Sequence, residues 1–226
     1  TIECRVITAG EPMLGGIMID KISSWKFAED YTVEPSAIAE ARHHAEQLGV
    51  ESVTPATGSQ LAVLAAISKA KNIVEAGTGA GISGLWLLSA SKDSILTTID
   101  NEPEYQNVAR KNFTAAGIPA SRIRVITGKA KAVMGNMAES GYDLVFLDID
   151  PLEIEELLPT AVGLIRPGGA LVISHALWRD RVPNPALRDE ETAALRSTIR
   201  AFSNVDGFVS SISMVGDGLL VIAKSE

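Results

Sequence analysis

Val74-Glu75-Ala76-Gly77-Thr78-Gly79-Ala80-Gly81-Ile82-Ser83-Gly84 is the stretch that decides how the rest of the chain reads. The β-branched pair Ile73-Val74 enters it as a strand, and Leu85-Trp86-Leu87-Leu88 leaves it as the core face of a helix. The glycines therefore sit in the turn between. Glycine lets the backbone turn sharply there and lets a ligand approach the main chain with no Cβ in the way. A strand–turn–helix of this kind belongs at the carboxyl edge of an open α/β sheet, where ligands bind at the point of strand-order reversal.

Beyond this stretch, short β-branched runs at Ile95 to Ile99, Ile123 to Ile126, Leu144 to Leu147 and Leu171 to Ile173 repeat the strand of Ile73-Val74 every 21–28 residues. That interval holds one strand, one crossover helix and two short loops, so the five strands predict a parallel sheet with helices on both faces. Helices are expected near 80–90, 103–116, 129–139 and 152–163. Upstream, Ile38, Ala41, Ala45 and Leu48 place a helix between Pro35 and Gly49, and a second follows Pro55 with Val53-Thr54 extended before the proline. Residues 1–33 show no period and are set apart as an N-terminal segment; residues 34–226 make up one domain. After a helix near 189–203, Phe208 to Met214 and Leu219 to Ala223 flank Gly216-Asp217-Gly218 and read as an antiparallel hairpin.

Composition narrows the function. Of the 226 residues 46% are hydrophobic, which excludes disorder as the main state. Cys4 is the only cysteine, so there is no disulfide scaffold, and with no export signal visible a cytoplasmic location is expected. The net charge of −8 disfavours nucleic acid as the main partner. No apolar run approaches the ~18 residues of a membrane span.

Two ligand classes fit the turn. Gly79-x-Gly81-x-x-Gly84 matches the dinucleotide fingerprint, with Asp100 near the place of the ribose-binding acid, so a nicotinamide-dependent oxidoreductase is one reading. Glu75, at the strand end before the first glycine, argues against a pyrophosphate and for a cationic ligand. The C-terminal hairpin also departs from a dinucleotide half-domain. Acids recur at further strand ends: Asp100 after the second, Asp148 and Asp150 after the fourth. Each alone could be a loop carboxylate or helix cap; as a set beside the turn they point to ligand binding.

Glu75-Ala76-Gly77-Thr78-Gly79-Ala80-Gly81-Ile82-Ser83, Thr98-Ile99-Asp100 and Tyr142-Asp143-Leu144-Val145-Phe146-Leu147-Asp148-Ile149-Asp150 together resemble the S-adenosylmethionine-dependent O-methyltransferases of the catechol and caffeoyl-CoA type, in their actinobacterial branch. The similarity runs from about Trp25 to the C-terminus. It implies a Rossmann-like sheet of seven strands, mostly parallel with the last antiparallel. By position, it implies that Val53 meets the methionine part of the cofactor and that Glu75, Gly77 and Thr78 line the methionine and ribose region. Ser83 would hold the methionine carboxylate and Asp100 the ribose hydroxyls. Asn101 and Ala130 would flank the adenine, and Asp148 would stand beside the transferred methyl group.

Departures from the family pattern bear on mechanism. The resemblance implies a divalent metal held by the aspartate matching Asp148 and by an Asp-Asn pair after the fifth strand, but that pair reads Ser174-His175 here. The lysine proposed as the family's base is Pro151. The metal-dependent mechanism of the family therefore cannot be assumed for this chain, a divalent metal is in doubt, and no metal ligands are assigned. His175 then has three readings: general base, metal ligand with Asp148, or structural histidine under the next loop. Asp150 is a second candidate base. Trp178, Arg179 and Arg181 form a candidate substrate loop; His43 and His44 read as surface residues or partner contacts. A nucleic-acid amino-methyltransferase is a poor match, since Asp150-Pro151-Leu152 lacks the second proline and the aromatic of that motif. The expected partners are a small-molecule acceptor and a second copy of the chain. A cofactor-binding protein without the chemistry is the remaining alternative.

Overall fold

The computed structural model describes residues 13–14, 17–18 and 21–225. Cys4, Gly10, Pro12, Gly15 and Gly16 lie outside the described residues. Seven strands form the main sheet: β1 (Asn72–Ala76), β2 (Ile95–Asp100), β3 (Ile123–Thr127), β4 (Tyr142–Leu147), β5 (Ile165–Ile173), β6 (Phe208–Ser213) and β7 (Leu219–Lys224). Their spatial order is β3-β2-β1-β4-β5-β7-β6. The pairs within β3-β2-β1-β4-β5 are all parallel, while β7 pairs antiparallel with both β5 and β6. The last strand thus inserts between β5 and β6 and runs against both of them.

Strand alternation sorts the core into two layers. Ile73, Leu96, Leu144 and Phe146 face one way, onto α2 (Ser36–Gln47), α3 (Pro55–Ile67), α4 (Ile82–Ser89) and α5 (Pro103–Ala115). Val74, Ile99, Val145 and Leu147 face the other way, onto α6 (Ala130–Met134), α7 (Pro151–Leu164) and α8 (Glu190–Ala201). Strands buried on both faces read as continuous apolar runs, and those runs are what the sequence displays.

Helix starts follow capping chemistry. Thr54 caps α3 by accepting from Thr57 N, with Pro55 in the first turn, and Asp150 caps α7 by accepting from Leu152 N, with Pro151 behind it. Three boundaries differ from the sequence reading. Helix α6 ends at Gly135, a poor helix former, instead of reaching 139. β5 begins at Ile165, but only Ala170–Ile173 pairs with β4 in unbroken register, past an irregularity at Tyr142/Leu144. Residues Lys21–Asp30, which show no period, form a helix, α1, none of whose residues is buried. With no face committed to a core, it leaves no apolar stripe to read.

At the amino end of β4, Asp143 holds three elements. It accepts from Lys71 N at 2.8 Å and Asn72 N at 2.7 Å, where the chain enters β1, and pairs with Arg166 of β5. Burial works to raise its pKa, but the Asn72 and Lys71 amides and the Arg166 guanidinium outweigh it and hold the carboxyl below the usual range. Asp143→Ala strips all three donors of their acceptor and is expected to cost about 3 kcal/mol. Urea denaturation measures this; a loss under about 0.5 kcal/mol would show that the clamp is dispensable.

Candidate functional site

Strand order reverses between β1 and β4, and the chain ends of these two strands open a cleft. The ladder continues one residue beyond each strand: Gly77 N donates to Ile99 O at 2.9 Å and Asp148 N to Ala76 O at 2.8 Å. Gly77 has φ +94°, and a Cβ there would lie 2.0 Å from the Asp148 carbonyl oxygen. Only glycine lets the turn pass this close. Asp100, ending β2, then ties the turn down: its Oδ2 accepts from Thr78 N at 3.0 Å and Gly79 N at 2.9 Å, and Oδ1 from Glu102 N at 3.0 Å. With roughly four lone-pair sites on a carboxylate, one on Oδ1 stays open to a ligand hydroxyl.

The cleft comprises two cavities that share Gly77, Asp100 and Asp148. One, of about 180 Å³, is lined by Val53, Thr78 and Ser83 and the start of α4; the other, of about 200 Å³, by Asn101, Ala130 and Asp150. Gly81, in the left-handed region, precedes helix α4 as its N-cap residue, with no side-chain cap on the first turn. Its amino end is thus a place for a ligand carboxylate. The charged side chains lining the two cavities are Glu51, Asp100, Asp148, Asp150 and Glu153 against Lys129.

Glu75 stands behind this wall. It is fully buried, takes Ser83 Oγ on Oε1 at 2.5 Å and Thr98 Oγ1 on Oε2 at 2.6 Å, and lines neither cavity. Burial, only partly offset by those hydroxyls, pushes its pKa up to about 7. The repulsion of a pyrophosphate that its position in the sequence suggests therefore falls to the acids lining the cleft. Between an unfolded value near 4.5 and about 7 the folded protein holds the extra proton, so stability falls as pH rises through that window. The loss is on the order of 3 kcal/mol. Denaturation of wild type and Glu75→Gln at about pH 5 and pH 8 tests this. The wild type should lose stability over the interval and the variant should lose clearly less; parallel behaviour would contradict it.

A third cavity, of about 380 Å³, adjoins the first across Val53 and is lined by Trp25, Glu29, Ser174, His175 and Asp217. Helix α1 roofs it: Trp25 Nε1 donates to Met214 O at 2.9 Å, and Glu29 accepts from Gly216 N at 2.6 Å and Thr54 Oγ1 at 3.1 Å. His175, with φ +53°, has Nδ1 3.1 Å from Asp217 Oδ2 and Nε2 3.4 Å from Asp148 Oδ1. Burial raises the Asp148 pKa, while the His175 charge and the Ser174 hydroxyl, which donates to Oδ1, lower it.

The donors present do not fit the metal that the resemblance implies. Ser174 Oγ engages the Asp148 carboxylate, and no cluster of three His, Cys, Asp or Glu among the described residues has ligating geometry. Asp150 faces the cavity away from His175 and spends its carboxylate on capping α7. In the candidate substrate loop, Arg181 pairs with Asp189, the cap of α8, and Arg179 reaches Glu51 at 2.9 Å. Trp178 packs against the core with its ring edge-on to His175. His44 bonds Asn112, whereas His43 is exposed. Asp217, Glu51, Trp25 and Tyr105 also line the cavities, and the sequence reading assigned them no such part. Only Gly216-Asp217-Gly218 carried a signal, and that signal was for a turn.

Comparison with known proteins places this geometry in context. A family model described as O-methyltransferase matches residues 29–225. An O-methyltransferase relative from Mycobacterium sp. (strain JLS) is 44% identical over 198 residues, covering 87% of this chain and 90% of the relative. One from Mycobacterium ulcerans (strain Agy99) is 43% identical, covering 87% and 88%. A crystal structure of a Corynebacterium glutamicum protein superposes with TM-score 0.84 at 29% identity, covering 92% of this chain and 98% of that one. An O-methyltransferase of tomaymycin synthesis from Streptomyces achromogenes, solved with S-adenosylmethionine, shares the fold at TM-score 0.80 and 23% identity, covering 92% and 100%.

Proposed function

The chain belongs to the O-methyltransferase family, and from that premise we propose that it transfers a methyl group from S-adenosylmethionine to an oxygen of a small-molecule acceptor. The carrying observation is the lining of the cleft, five carboxylates against Lys129. Such a wall suits a cationic nucleoside without phosphates and repels a dinucleotide, so the nicotinamide reading of the glycines falls away.

Thr78, Val53 and the open first turn of α4 hold the amino-acid end, with Ser83 contributing its backbone amide there because its hydroxyl is donated to Glu75. Asp100 takes a ribose hydroxyl on Oδ1, Asn101 and Ala130 flank the adenine, and Gly77 gives the backbone clearance at the centre. Glu75 acts from behind, fixing Ser83 and Thr98. When bound, the cofactor supplies an electrophilic methyl group on a sulfonium sulfur. The chain supplies alignment, worth about 7–11 kcal/mol, and a base. His175 is that base: it lines the acceptor cavity, and Nε2 faces the junction with the cofactor cleft. Its Nε2 receives the acceptor's hydroxyl proton, and Asp148 beside it stabilises the imidazolium that results. Asp150 serves as a helix cap.

Calorimetry with S-adenosylhomocysteine and NAD tests the cofactor: the first should bind and the second should not, and NAD binding alone would overturn the reading. For the base, His175→Ala should lower kcat about 100-fold or more while S-adenosylhomocysteine affinity stays within about twofold. Turnover of a phenol acceptor should persist in excess EDTA. Unchanged kcat in the variant removes His175 from the reaction, and loss of turnover to EDTA restores a metal.

A further inference from the structure

We propose that Asp217, in the turn between β6 and β7, is a positioning residue that selects the catalytic tautomer of His175. This rests on the reading of His175 as base and goes beyond it, because the base alone does not say which ring nitrogen carries the proton. The two residues lie 42 positions apart, and the turn brings them together.

The chain is latched around the pair. Ala176 N donates to Gly218 O at 3.0 Å and Leu177 N to Asp217 O at 2.9 Å. The Asp217 side chain is held at both oxygens, by Arg179 N on Oδ1 at 2.6 Å and by His175 Nδ1 on Oδ2 at 3.1 Å. Gly218, with φ +86°, allows this approach, since a Cβ there would meet Leu177 Cγ at 2.5 Å. His175 itself sits in the left-handed region, a conformation unfavourable for a residue with a Cβ, which persists only where the surroundings over-determine it. These contacts supply that determination. The strained backbone points the imidazole at the junction of the cavities, between Asp217 on one side and Asp148 on the other.

The orientation has a chemical consequence. An ionised carboxylate accepts and does not donate, so the nitrogen hydrogen-bonded to one, Nδ1 against Asp217, must carry the ring hydrogen; Nε2 lies 3.4 Å from Asp148 Oδ1 without a hydrogen bond to it, and the Ser174 hydroxyl already donates to that oxygen. Neutral imidazole then has its lone pair on Nε2, the atom at the cavity junction. The proton leaving the acceptor hydroxyl arrives on Nε2, and the imidazolium formed lies between two carboxylates that balance its charge. No metal is needed to make the oxygen electron-rich. Trp178, edge-on at 6.4 Å between centroids, closes another side of the ring.

Asp217→Asn tests this with the side-chain shape preserved. The carboxamide oxygen can still accept from Arg179 N, while the carboxamide nitrogen donates to Nδ1 and drives the ring hydrogen to Nε2. The direct readout is the ¹⁵N spectrum of the histidine ring with S-adenosylhomocysteine bound, His175 being assigned by its absence in His175→Ala. Wild type should show protonated Nδ1 and unprotonated Nε2, and Asp217→Asn the reverse. With the acceptor used for His175→Ala, kcat of Asp217→Asn should fall about 100-fold or more, with KM within about twofold, as expected for a wrong-tautomer base. A wild-type ring protonated on Nε2, or a tautomer indifferent to the substitution, overturns the role of Asp217 even where His175→Ala is inactive. Full activity of His175→Ala overturns the base assignment instead, and the role of Asp217 falls with it.

Discussion

The contact between the Gly77 backbone and the Asp148 carbonyl is the constraint on which the site depends. It lies where the strand order reverses, and it forces the turn after β1 and the end of β4 into one wall. Everything with chemistry is referred to that wall: Asp100 bonds the turn from one side, Ser174 bonds Asp148 from the other, and His175 comes directly after Ser174. A side chain on residue 77 would part β1 from β4 and dissolve the shared floor of the two cleft cavities. The fold is thus a means of holding a glycine turn, an acidic rim and a histidine at fixed separations.

How much of this can be read from the chain depends on where the information sits. The parallel core was legible because strands buried on both faces, such as Leu144 to Leu147 and Leu171 to Ile173, appear as unbroken apolar runs. The acids at strand ends were legible for the same reason, since the last apolar residue of a run marks the sheet edge and the next residues lie on it. Glu75 shows the limit of that reasoning. Its place in the sequence says that it closes β1, but not that its side chain turns away from the cleft into a cage of Ser83 and Thr98 hydroxyls. Side-chain direction at a strand end is set by the neighbouring strands. Asp217 and the roof helix α1 were invisible for a related reason. Their roles arise from contacts 42 and 189 positions apart, between His175 and Asp217 and between Trp25 and Met214, and no local pattern encodes these.

The Asp148–His175 side of the cleft shows how a site can keep its place while its donor groups change. Where the resemblance implies carboxylate and amide oxygens around a hard cation, Ser174 and His175 put a hydroxyl and an imidazole. The hydroxyl engages the half-buried Asp148 carboxylate, and the imidazole spans the gap to a second carboxylate on the C-terminal hairpin. In the proposed mechanism, positive charge at this point is supplied by a proton in transit on the imidazole. The antiparallel insertion of β7 between β5 and β6 is what brings the turn at Asp217 over the end of β5.

A crystal structure with S-adenosylhomocysteine bound tests the central claim most directly. The account predicts the adenine between Asn101 and Ala130, a ribose hydroxyl on Asp100 Oδ1, and the carboxylate at the first turn of α4. The sulfur should face the cavity that holds His175. A nucleoside lying elsewhere, or reversed with its adenine at the start of α4, would contradict it.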